Sequence, residues 1–511
     1  MHFYEVVPND KVVLTCLPTE NGKVPALQSK VVMKSSHITI VILHYFRGPI
    51  GWVFVGSISI LLGCLLVQLS SNARLMLVFG LAMLIVIPLL FLKGPQWMLF
   101  VALICLPFTQ APTAKLMARW RISELLAWLL IPWSLTKVSV IMGQLPMCIR
   151  VYLIGVGVYF LYTGLVGMVT SPFLPVLDEI SLQHIHQPTL RVLLESFRGL
   201  AILSMISSII YSVNSWDDLR TAVRCFVLGG AISAIYGVYQ TVAIAFALPV
   251  LFLPGTLRQE HSVRPFSTFY EPTGFGSYTA VAVILSLYLL EESNKRWVWR
   301  SCLALNIIGL IFSLSSAGFL SFGAGLFVLL LFSFKRVIFF VPIGASLLWI
   351  GLLFMRNLAG EEKVTTALSQ WWFENRLTER IEAYQSVLAE LISNPLGIGQ
   401  GNYLIIAGGA PGLARVIVEG GVIGIMSFLL VHLSVVVSIV WLFRAQDLEA
   451  KRFAAFVAAA YLSICLIFFN YIHIVDLWLW FVMCLPITGV ALSAKLKKRI
   501  AGGLIPRSLT I

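Results

Sequence analysis

Arginines and carboxylates recur at four places along this chain, and a cluster of small hydroxyls at a fifth, each beside glycine, proline or serine and each at or near the end of an apolar block. Such groupings can hold an anion and move a proton. Guanidinium groups offer fixed donors to phosphate or carboxylate oxygens, and a carboxylate can take a hydroxyl proton. The first reads RPFSTFYEPTGFG, residues 264 to 276. Arg264 and Glu271 precede Pro272, which suits a first helical turn, and Gly274 and Gly276 allow close backbone approach. The second is RLTERIEAYQSVL followed by NPLGIGQGNY, residues 376 to 403. Arg376 and Arg380 stand one helical turn apart and can converge on one anion, and Gly397, Gly399 and Gly401 make a turn whose backbone can approach a ligand. The third, VEGGVIG at 418 to 424, sets Glu419 at the mouth of a helix among small residues that favour close packing. The fourth, SLSSAG at 313 to 318, is a hydroxyl-rich turn holding Ser315. The fifth is Arg191, Glu195 and Arg198 at the start of a helix, where charge within a span is costly and functional by default.

Each grouping also has a plainer reading. Arg264 and Glu271 can be an interfacial ion pair, and Arg376 and Arg380 part of a solvated helix face. The serines suit helix-end caps, and Glu195 and Arg198 can simply pair with each other. No GxxxxGK[ST] loop and no HExxH cluster occurs. His261, alone in a polar loop, is a weaker base candidate than Glu271 or Glu419.

The elements that must carry these residues are membrane helices. Of 511 residues, 59% are hydrophobic and 12% charged, against roughly 25% charged in soluble domains. Blocks such as 50–69, 75–92, 151–170 and 337–355 hold about 18–20 residues each with almost no charge, enough to span hydrocarbon, where only helices satisfy their own backbone. Further spans are expected at 96–108, 124–142, 197–213, 222–247, 273–290, 297–313, 317–334, 414–442, 453–470 and 474–493. The fold class is all-α: a polytopic bundle of about 12–14 helices with a large extracytoplasmic loop containing an amphipathic helix. That helix is read from Leu377, Ile381, Tyr384, Leu388 and Leu391, ends at Asn394-Pro395, and can lie on the membrane surface with its apolar side down. The net charge of +13 fits basic cytoplasmic loops rather than nucleic-acid binding. Lys451 with Arg452, Lys335 with Arg336 and the basic tail from Lys495 mark one side; Lys115, Arg119 and Arg121 fall on the other and disagree. The eight cysteines are scattered, with no CxxC pair, so neither a disulfide framework nor a zinc site is expected.

The order of these groups resembles the O-antigen ligase and O-antigen polymerase superfamily of bacterial envelope glycosyltransferases. The matching pieces are Arg264 with Glu271-Pro272, Ser315-Ser316, Arg380 with Tyr384, Asn394-Pro395-Leu396-Gly397-Ile398-Gly399, and Glu419-Gly420-Gly421-Val422-Ile423-Gly424, over roughly residues 190 to 440. Ligases of this group usually carry a histidine about nine residues before that glutamate. Here the position is Ala410, and with Glu271-Pro272 the resemblance leans to the polymerase type.

The resemblance implies a polyprenyl-diphosphate-linked glycan as donor, transferred to an acceptor hydroxyl on the outer face of the bacterial inner membrane, to build exopolysaccharide or O-antigen. Arg264, Arg376 and Arg380, with Arg198, are then expected to meet the diphosphate, and Glu271 or Glu419 to take the proton. Tyr384, Gly397, Gly399 and Ser315 are expected to line the substrate. No metal or cofactor is demanded. The implied partners are the lipid bilayer, a chain-length regulator and a flippase. The chain divides into a cytoplasmic segment 1–49, helices over 50–250, a catalytic region 251–442 that includes the outer loop 356–413, helices over 443–493 and a basic tail 494–511. Two alternatives stay open: a ligase to an acceptor lipid, and a transporter of lipid-linked units using His432, His473 and Asp476.

Overall fold

In the computed structural model the described residues are 95–109, 121–134, 145–173, 188–246, 265–269, 271–292, 296–337, 374–403, 412–469 and 474–501. They belong to one compact unit, Ala82–Ile511. The expected spans 50–69 and 75–92 and nearly all of 337–355 lie outside the described residues, as do Arg264, His261 and His473.

Among the described residues there are twelve α-helices and no strand. In chain order they are α1 (Pro95–Ile104), α2 (Ile122–Leu129), α3 (Met147–Thr170), α4 (Pro188–Ser212), α5 (Trp216–Ala245), α6 (Pro272–Glu292), α7 (Arg296–Ser313), α8 (Ser316–Val337), α9 (Glu374–Ser393), α10 (Gly412–Arg444), α11 (Leu448–Phe468) and α12 (Leu477–Ala501). Helices α3, α4, α5, α6, α10, α11 and α12 are long and apolar enough to cross a bilayer. The chain is a multi-pass membrane protein. The apolar stretches of α12 and α6 are 94% and 89% buried within the protein, whereas those of α3 and α10 are 39% and 44% buried. So α12 and α6 form the middle of the bundle, around Trp478, Trp480, Phe226 and Tyr278. Helices α3 and α10 stand at its edge and turn apolar stripes outward.

Helix α4 begins nine residues before the expected 197, because Arg191, Glu195 and Arg198, which broke the hydropathy window, are inside it and paired or buried. A surface element would leave such charges to water, but here other helices compensate them.

The two ends of the bundle are chemically different. At one end helices are stapled by side chains reaching across from neighbours. Ser215 caps α5 by accepting from Asp218 N–H at 3.1 Å, Arg220 pairs with Glu449, and the Trp216 indole donates to Asp447 at 3.1 Å. Lys495 of α12 donates to the carbonyls of Ile210 (3.0 Å), Tyr211 (3.2 Å) and Val213 (3.0 Å), the orphan acceptors at the C-terminus of α4. A cation there also meets the negative end of the helix dipole. The other end gathers the C-termini of α3, α5, α7 and α11 and the N-termini of α2, α4, α6, α8, α10 and α12. Lys495→Met should therefore lower stability by about 1–3 kcal/mol, with Lys495→Arg retaining most of it; thermal unfolding of the purified protein in detergent checks this, and equal losses for both variants would contradict it.

Candidate functional site

The second end is built around a break in α10. Gly421 has φ 53° and ψ −151°, outside helical geometry, a backbone that glycine adopts without steric cost. The break frees the carbonyls of Val418 and Glu419 from their own helix. They accept instead from Ile398 N–H (2.9 Å) and Gly399 N–H (3.0 Å), while Val422 N–H donates to Pro395 O at 2.9 Å. On the other side Gln400 N–H donates to Thr163 O at 2.9 Å, Thr170 Oγ1 to Ile398 O at 2.6 Å and the Tyr162 hydroxyl to Leu396 O at 2.7 Å. Residues 397–403 are thus a buried loop wedged between α3 and α10 with its backbone bonded to both helices, as non-helical chain at membrane depth must be. Residues 394–396 form its exposed tip.

The loop glycines serve this packing. Gly397, Gly399 and Gly401 have φ 80°, 81° and 82°. A Cβ on Gly399 would collide with the Gly167 backbone of α3, and one on Gly397 would lie 2.6 Å from Glu419 O. The close approach foreseen at these glycines is made to α3 and α10. Gly399→Ala should expel the loop from its slot, read as a loss of folded protein after extraction; a wild-type yield and melting temperature would count against the wedge.

Where loop and helices meet, charged side chains alternate in a buried chain. Asp476, just before α12, pairs with Arg121, just before α2. Arg121 reaches Glu124 (3.3 Å), Glu124 reaches Arg198 (3.2 Å) and Arg198 reaches Glu195 (2.6 Å). Glu195 continues to Arg415 (3.2 Å) and Arg415 to Glu419 (2.9 Å). Glu419 Oε1 also accepts Gly401 N–H at 2.7 Å. The guanidinium of Arg415 lies 4.4 Å from the centre of the Tyr403 ring, a cation–π contact. The row holds four carboxylates against three guanidiniums, Arg121, Arg198 and Arg415.

Arg191 supplies the fourth positive charge and stands beside the row. It is 5% exposed. Its Nη2 donates to Asn402 Oδ1 at 3.2 Å, and Glu195 and Glu419 are near enough for their charges to act on it. Its Nε and Nη1 are buried without a hydrogen-bond partner among the described residues. A buried donor left unmade costs about 1–3 kcal/mol, more when charged, so two on one guanidinium mark a place where an acceptor fits.

The expected residues divide as follows. Glu419 and Arg198 stand inside the row, and Gly397 and Gly399 in the loop beneath it. Glu419 is not at the helix mouth as expected: α10 starts at Gly412 and carries it two turns inward. Glu271 precedes α6, half-buried, and its charge reaches Tyr403. Ser315 is a helix cap, its Oγ accepting Gly318 N–H at 3.2 Å. Arg376 and Arg380 belong to α9, but their side chains lie outside the described residues.

The apolar stripe of α9 differs from the expected one. Val387 is fully buried and Tyr384 packs with it against Ile398, Tyr403, Ala414 and Val418. Ile381 and Leu388, assigned to the same stripe, are 50% and 52% exposed. Helical spacing alone cannot tell which of two adjoining apolar arcs docks.

Arg415, Arg121, Glu124 and Asn402 were missed. Arg415 had a signal: an Arg four residues before a Glu in an otherwise apolar helix is an intramembrane pair. Arg121, the charge that disagreed with the loop rule, is bound to Asp476 and Glu124 and so is no free loop cation. His432 bonds the Tyr461 hydroxyl of α11 at 2.7 Å, and Asp476 lies at a helix end. Among the described residues no three His, Cys, Asp or Glu side chains gather as metal ligands. No protein-family model matches this sequence, and a search of curated proteins finds no match.

Removing one member of the row weakens the compensation of its neighbours. Arg415→Met should cost about 3–5 kcal/mol by leaving buried Glu419 without its paired guanidinium, while Glu195 keeps Arg198. The double variant Arg415→Met with Glu419→Gln should cost less than the sum of the two single changes. Unfolding midpoints of the three variants test this, and strict additivity would rule out the coupling.

Proposed function

We propose that this protein is a membrane glycosyltransferase that polymerises polyprenyl-diphosphate-linked oligosaccharide repeat units on the outer face of a bacterial inner membrane. The observation that carries the reading is Arg191: a buried guanidinium with two open donors, in a membrane bundle, among residues resembling the O-antigen ligase and polymerase group. A diphosphate oxygen is an acceptor that such donors suit.

In this reading the acceptor hydroxyl oxygen attacks the anomeric carbon of the donor glycan. The bond from that carbon to the diphosphate oxygen breaks, and polyprenyl diphosphate leaves with the electron pair. Negative charge grows on the departing oxygen, where fixed cations lower the barrier most. Arg191 meets that charge from inside the bundle, with Arg264, Arg376 and Arg380 as the cations of the flanking segments. The hydroxyl proton goes to a carboxylate. Glu419 already holds Gly401 N–H and Arg415, so its part is to fix the loop. Glu271, half-buried at the head of α6, is the better base.

The broken helix at Gly421 favours a second reading. Transporters of anionic substrates often bind at interrupted helices, and a carrier of lipid-linked units would use Arg191 the same way. Deletion of the gene separates the two: single units stranded on the outer leaflet indicate a polymerase, and units stranded on the inner leaflet a transporter. Chains that lengthen on the lipid carrier but never reach an acceptor lipid indicate a ligase. Within the polymerase reading, Arg191→Ala should reduce polymer by about 100-fold or more, as loss of one preorganised donor does. Full-length polymer at normal protein level would refute the role given to Arg191.

A further inference from the structure

The outward surface of α9 and the tip of the loop that follows it remain unexplained by the ion row. Around α9 the side chains fall into three arcs. Val387, Tyr384 and Leu391 face α10 or lie half-buried beside it, and Glu382, Ser386 and Ser393 form an exposed polar arc. Between them Ile381, Leu388 and Ile392, at spacings of seven and four residues, are 50%, 52% and 83% exposed. Leu396, at the loop tip, is 63% exposed.

The depth of that tip is fixed twice. The Leu396 carbonyl accepts from the Tyr162 hydroxyl, and Tyr162 lies eleven residues before exposed Phe173, the last residue of the 3-10 turn that follows α3. At 1.5 Å per residue this is about 16 Å along the helix. The Pro395 carbonyl accepts from Val422, ten residues into α10, which is about 15 Å. A headgroup layer is roughly 5–7 Å thick on each side, so with the end of α3 at the water boundary the tip lies deeper than headgroups. It is also flanked by the outward stripes of α3 (Leu161 57%, Leu165 65%, Val169 70%) and of α10 (Val422 52%, Met426 56%, Leu429 55%). These stripes face lipid in a multi-pass protein, and the backbone of Pro395 and Leu396 is bonded to a residue of each helix, Val422 of α10 and Tyr162 of α3.

We propose that Leu396 and the Leu388–Ile392 end of α9 are immersed in the acyl chains of one leaflet, so that residues 374–403 form a re-entrant helix and loop rather than a helix resting on the membrane surface. The occupant of this apolar face is lipid. The polar arc of Glu382, Ser386 and Ser393 faces water or headgroups, and the ion row lies behind the tip, shielded from hydrocarbon by α3, the loop and α10. The inference rests on the membrane placement of α3 and α10 and stands whether or not the chain is a glycosyltransferase.

A photo-crosslinking side chain, p-benzoylphenylalanine, introduced singly at Leu388, Ile392, Leu396 and Ser386 of the full-length chain tests this in native membranes. Leu165 serves as the lipid-facing reference. All are exposed positions, so folding should be preserved. Illumination should yield phospholipid adducts by intact-protein mass at 388, 392 and 396 within about twofold of Leu165, and at least fivefold fewer at Ser386. Adducts at 396 no more abundant than at Ser386 would overturn the proposal, as would crosslinking of 392 and 396 to a second protein in place of lipid.

Discussion

A guanidinium or carboxylate carried into hydrocarbon loses its water, and only other groups of the protein can replace it. This constraint organises one end of the bundle. Asp476, Arg121, Glu124, Arg198, Glu195, Arg415 and Glu419 come from four helices or their first residues, and each of the five inner charges lies between neighbours of opposite sign. Removing any one weakens the compensation of its neighbours where water is scarce, so the row ties the positions of α2, α4, α10 and α12 to one another. It also holds the loop, because Glu419 takes the Gly401 amide with the same oxygen that faces Arg415.

The break at Gly421 has the same origin. A continuous α10 would use the carbonyls of Val418 and Glu419 itself and would offer the loop no acceptors. By leaving helical geometry at one glycine, the helix exposes those carbonyls sideways and the loop docks with its amides satisfied. The glycines at 397, 399 and 401 then let loop and helix backbones come within contact of one another. Helix break, glycine loop and ion row form one assembly, and Arg191, with donors to spare, is the part of it left open.

Much of this was legible in the sequence. Among the described residues, long uncharged blocks marked α1, α3, α6, α7, α8 and α10 to within four residues at each end, since hydrocarbon thickness imposes their length, whereas α2, α4 and α12 depart further. Glu195, Arg198 and Glu419 were visible because charge inside an apolar block is rare. What hydropathy could not supply was pairing. Arg121 and Asp476 lie 355 residues apart, and nothing local to either announces the other. Arg121 looked like a loop cation that broke the charge rule, while its real partner sat before the last helix. The docking side of α9 was illegible for a related reason: two adjoining apolar arcs obey the same period, and only contact with α10 distinguishes them.

The span of the ion row along the chain bears on how the protein is made. Membrane helices leave the ribosome in order, and a lone Arg, Lys or Asp at the centre of an inserting helix costs about 2.5–3.5 kcal/mol. Arg121 and Glu124 emerge first, Glu195 and Arg198 some seventy residues later, and Arg415 and Glu419 only after more than two hundred further residues. Asp476 follows Arg415 by some sixty residues. Until it arrives, the Arg121–Asp476 pair cannot form, so this end of the bundle can close only after residue 476 has been synthesised. Products truncated before residue 476 would enter the bilayer without this partner of Arg121, which makes them natural targets for membrane quality control.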